Sequence, residues 1–61
     1  MAIWRTSDGM QVEAVVVDDQ PVLRVSRRVE DKLYFRGYVA SVDDLHKHGV
    51  DLADLTEHPA A

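Results

Sequence analysis

Cysteine and asparagine are absent from this 61-residue chain, and isoleucine occurs once, at Ile3. Without cysteine there is no disulfide framework, no thiolate metal site and no cysteine nucleophile. Long apolar stretches are missing too. The longest run, Ala14-Val15-Val16-Val17, is far below the roughly 20 residues that a membrane span needs. The first residues show neither the basic region nor the apolar segment of a secretion signal. These absences lead us to expect a cytoplasmic chain without a membrane partner.

Glycine is sparse: Gly9, Gly37 and Gly49 stand singly, so no loop is built to cradle a phosphate. Ser7, Ser26 and Ser41 lack the surroundings of a nucleophile elbow. His46 and His48 are two residues apart, and on a helix such a pair does not share a face, which makes a poor chelate. Asp44 with His48 and Asp54 with His58 have helix-surface spacing, which explains them without a metal. The expectation is a non-enzyme with no catalytic, cofactor-binding or metal-ligating residues and no small-molecule substrate.

What the chain does contain is an ordinary globular mixture, 46% apolar and 30% charged, with a net charge of −4. Abundant Val, Asp, Ala and Arg beside only two Lys suit a GC-rich bacterial genome. Residues 1–61 make one small domain. A domain of this size buries only roughly 60% of its unfolded surface, and small scaffolds without covalent staples often self-associate.

The spacing predicts an α+β fold: a four-stranded antiparallel meander over about 2–6, 10–17, 22–29 and 33–39, then a helix over 42–48 packed on one sheet face. A short helical turn over 52–57 and a frayed tail over 58–61 follow. Asp8-Gly9 reads as a two-residue hairpin turn. Asp19-Gln20 is taken as the centre of the second turn, and Glu30-Asp31-Lys32 as a three-residue third loop. Ser41, with Asp43 and Asp44 behind it, has the form of a helix N-cap, and Gly49 fits the left-handed position after the last turn.

Those turns set which side chains share a face, because side chains alternate along a strand. One face collects Ile3, Val12, Ala14, Val16, Leu23, Val25, Val29, Leu33, Phe35 and Val39, to be covered by Val42, Leu45, Leu52 and Leu55. In that register Phe35 is a core residue and Tyr34 is not. The other face collects Trp4, Glu13, Val15, Val17, Val22, Arg24, Ser26, Arg28, Tyr34, Arg36 and Tyr38, with nothing left in the chain to cover it. Trp, Tyr and Arg are the residue types that dominate binding hot spots. Trp4, Arg24, Arg28, Tyr34, Arg36 and Tyr38 are therefore the candidate partner-binding residues.

Charge is segregated: residues 22–39 are net +3, residues 1–21 net −3 and residues 40–61 net −4. The expected function is a small regulatory or adaptor domain working by protein contact, as a homodimer through the Trp/Tyr/Arg face. The alternative is a nucleic-acid-binding, transcription-related domain using the basic strands over 22–39. Such domains lay strands in a DNA groove or stack bases on sheet aromatics. The overall negative charge opposes this reading, because phosphate neutralisation dominates such affinity.

Overall fold

A computed structural model describes residues 2–59. It is a small α+β arrangement: an antiparallel sheet of five strands with helical segments on one side. The strands are β1 (Ala2–Arg5), β2 (Met10–Val17), β3 (Gln20–Val29), β4 (Lys32–Val39) and β5 (Thr56–Pro59). Two 3-10 helices, η1 (Val42–His48) and η2 (Leu52–Asp54), lie between β4 and β5. The sheet order is β4-β3-β2-β1-β5. The meander of four strands is thus present, with a fifth strand added at its end.

The first hairpin departs from the expected turn. Gly9 N donates to Thr6 O at 3.3 Å and Thr6 N to Met10 O at 3.0 Å, which closes a loop of Ser7, Asp8 and Gly9. Gly9 has φ 97°, the positive-φ position of a bulged hairpin loop. Thr6 Oγ1 supports the loop by bonding Asp8 and accepting from Met10 N. The added loop residue moves the register by one, so Trp4 pairs with Val12 and Ile3 with Glu13. Strand β1 is therefore turned over: Trp4 belongs to the core face and Ile3 to the open one.

The other two hairpins close with two residues each. Asp18 and Asp19 have φ 49° and 64°, and Glu30 and Asp31 have φ 50° and 70°. Positive φ at both central positions marks the turn whose twist matches the flanking strands. In β2–β3 the register lies two residues from expectation, with Val12 opposite Val25 and Ala14 opposite Leu23. An even shift leaves the faces unchanged. In β3–β4 the shorter turn shifts the first half of β4 by one, pairing Arg28 with Leu33, Arg27 with Tyr34 and Ser26 with Phe35. A bulge between Val25 and Ser26 leaves Arg36 without an opposite residue and restores the expected pairing of Arg24 with Tyr38. Leu33 and Phe35 consequently leave the expected core, and Tyr34 changes face.

The buried apolar residues are Met10, Val12, Val25, Val39, Leu45 and Val50, with Trp4, Leu23 and Leu55 packed against them. Val16 and Val29, expected in the core, are exposed near the hairpin ends. The 42–48 segment forms where expected but as a 3-10 helix. Three residues per turn align Val42, Leu45 and His48 on one side. Leu45 is buried there, and His48 reaches Gly37 so closely that a Cβ on Gly37 would meet its Cε1 at 2.9 Å. Ser41 makes no side-chain cap; its Oγ donates to Asp44 Oδ2 at 3.3 Å. Gly49 ends the helix at φ 79°.

The expected turn over 52–57 stops at Asp54, and Thr56–Pro59 pairs along the free edge of β1. Main-chain pairing alone makes that strand, which is why its side chains gave no sign of it. Ala60 and Ala61, the end of the expected tail, lie outside the described residues.

Candidate protein-contact face

The sheet face opposite the helices is built around polar rungs. Arg5 Nε donates to Gln11 Oε1 at 3.2 Å, and Gln11 Nε2 donates to Glu13 Oε1 at 2.9 Å. Arg24 Nη2 then reaches both Glu13 carboxylate oxygens at 3.1 Å. Burial pushes the Glu13 carboxyl up, but hydrogen bonds from Gln11 and Arg24 and the Arg24 charge together hold it below its ordinary value. Gln11 and Ser26 are buried although no described helix covers this face. Arg24 Nε is enclosed and has no acceptor among the described residues.

Beside these rungs lies an apolar cluster on β4. Phe35 and Tyr38 stand with ring centroids 5.0 Å apart and planes tilted by 57°. Together with Leu33, Arg24 and Ser26 they line a hollow of about 400 Å³. Leu33, Phe35 and Tyr38 are 47%, 58% and 49% exposed, so the cluster is open to solvent. Arg28, opposite Leu33, lies 3.7 Å from Asp31.

The structure separates the six residues expected to form one surface. Arg24, Arg28 and Tyr38 share the open face. Trp4 packs against the core instead, because the three-residue loop turned β1 over. Tyr34 is exposed but lies opposite Arg27, on the side of the helices. Arg36 sits in the bulge. On β4, Leu33 opposite Arg28 and Phe35 opposite Ser26 take the places expected of Tyr34 and Arg36. The signal for them was the Glu30-Asp31 pair, since two-residue connections are the commonest in hairpins. Arg24 is also no free surface charge: reversing it would set a second carboxylate against Glu13.

Among the described residues, no group of three or more His, Asp or Glu side chains is placed to hold a metal ion. No helix among them is long and apolar enough to cross a membrane. No family model, curated protein or solved structure matches the chain.

Proposed function

We propose that this chain is a non-enzymatic adaptor or regulatory domain that joins a second copy of itself through the open face of β3 and β4. The observation that carries this reading is the exposed cluster of Leu33, Phe35 and Tyr38 around Ser26, which no other described element covers. Aromatic side chains flanked by arginine are the usual anchors of protein contacts. In a domain with so few buried apolar residues, association through such a patch also supports the fold.

A two-fold contact requires a surface that does not repel its own copy. Glu13 neutralises Arg24, and Asp31 lies near Arg28. The sheet edges favour the face over edge-to-edge pairing. Strand β4 carries Lys32, Arg36 and a bulge, and β5 carries Pro59, all features that discourage a further strand.

The same neutralisation weighs against nucleic acid, which needs free cations for its phosphates. Arg27, Lys32 and Arg36 have no ionic partner among the described residues, and they keep that alternative open to test. Sedimentation equilibrium at low and high salt, beside binding to random DNA and RNA, separates the two. We expect a dimer little affected by salt, and lost in Phe35→Ser/Tyr38→Ser while circular dichroism stays unchanged. A monomer at every concentration, or a dimer that survives both substitutions, overturns the reading. Nucleic-acid binding that falls steeply with salt and vanishes in Arg27→Ala/Lys32→Ala/Arg36→Ala establishes the alternative.

A further inference from the structure

The face that carries the helices is only partly covered. Helix η1 places Leu45 in the core beside Val25 and Val39. Around it the surface stays apolar and open: Val16, near the β2–β3 turn, is 72% exposed, Val42 53% and Leu52 45%. Two hollows of about 360 Å³ each lie here. One is bounded by Ala14, Val16 and Pro21, the other by Trp4, Leu52 and Leu55, and both are lined by Leu23 and Val42. Adjoining at these two residues, they are taken together as one groove. From Val16 to Val12 the strand rises about 14 Å, and Trp4 lies one strand, about 5 Å, beyond Val12. That length matches about three turns of an α-helix.

The rim of the groove is acidic. Asp18 and Asp19 form the turn that joins β2 to β3 beyond Val16 and Pro21. Asp43 follows Val42, and Glu57 lies opposite Trp4 on β5. None of these four has a cationic partner among the described residues. Arg27, on this side of the sheet and without an ionic partner among the described residues, lies opposite Met10, away from the β2–β3 turn, and the other nearby cations are engaged elsewhere. Arg5 and Arg24 bond Gln11 and Glu13 on the opposite face, and Lys47 pairs with Asp44 at 3.3 Å.

We propose that this groove receives a basic amphipathic helix of another protein. Apolar side chains at i, i+3 or i+4, and i+7 would lie along Trp4, Leu23, Val42 and Leu52, with lysines or arginines facing the acidic rim. An apolar floor supplies burial, and unpaired carboxylates select the sign of the partner. This surface is separate from the β3–β4 face assigned to self-association.

The test uses the full chain and a labelled, amidated peptide with leucines on one helical side and lysines elsewhere, read by fluorescence polarisation. Trp4, the single tryptophan, reports occupancy of the groove by a shift of its emission. We expect saturable binding that weakens as salt rises and a Trp4 emission shift to shorter wavelength. Val42→Glu and Leu52→Glu, each at an exposed position, should separately weaken binding by on the order of tenfold. Asp18→Asn/Asp19→Asn/Asp43→Asn/Glu57→Gln should weaken it similarly and flatten its salt dependence. Phe35→Ser/Tyr38→Ser should bind the peptide normally, which distinguishes this groove from the self-association face. Equal binding of a leucine/glutamate peptide, or unchanged binding in both glutamate variants, overturns the proposal. So does a change of oligomeric state in peptide-free Val42→Glu, which would assign the groove to a second copy.

Discussion

Arg24 bridges both carboxylate oxygens of Glu13 with a single Nη2, directly across the β2–β3 ladder. This contact determines how the open face responds to acid. The Glu13 carboxyl in the folded chain lies below its ordinary value of 4.5. Its stabilising effect is therefore complete above about that value and is lost as pH falls through the lower, folded value. Thermal unfolding followed from neutral pH to pH about 3 should show this loss, and Glu13→Gln should remove that part of the pH dependence. At neutral pH the substitution should cost about 1 kcal/mol, since Arg24 is partly exposed and water screens the pair.

Leu45 and Phe35 should respond oppositely to what their sizes suggest. Leu45 is 1% exposed, so Leu45→Ala should cost about 2–5 kcal/mol, approaching global unfolding in so small a domain. Phe35 is 58% exposed, and Phe35→Ala should cost the monomer about 1 kcal/mol or less, mainly through its contact with Tyr38. Urea unfolding at a concentration where the chain is monomeric compares the two. A larger loss for Phe35→Ala would contradict the register of β4.

The Glu30-Asp31 turn holds two ordinary residues at positive φ. Asparagine and glycine occupy these positions at less conformational cost. Glu30→Asn/Asp31→Gly should therefore raise stability by about 1 kcal/mol, visible as a higher melting temperature. A lower melting temperature would show that the acidic pair makes a compensating contact.

Gly37 and His48 should be energetically coupled. A methyl group at Gly37 would meet the His48 ring, so Gly37→Ala should destabilise the chain by about 1 kcal/mol or more. His48→Ala should remove only the part of that penalty due to the ring, since Gly37 also has φ 159°, which an alanine rarely adopts. A double-mutant cycle by chemical denaturation measures the coupling, and additive losses would show that the ring moves aside freely.

Local chemistry in the sequence determined the existence of the meander, the segment over 42–48 and its Gly49 terminus. Clusters of turn residues, β-branched runs and a glycine suited to left-handed backbone act over a few residues and need no distant partner. The assignment of β2 and β3 faces was legible for the same reason, since a two-residue error preserves parity. Tertiary structure decided the rest. One extra residue in the Ser7–Gly9 loop turned β1 over, and one fewer in the Glu30–Asp31 turn, corrected by the Arg36 bulge, exchanged Phe35 for Tyr34. A strand's side chains alternate with period two, so a single residue in a turn reverses everything after it. Strand β5 depends on main-chain bonds to β1, across more than fifty positions of sequence. Only the packing of Trp4 against the core, and the exposure of Phe35 and Tyr38, separates the core from the contact face.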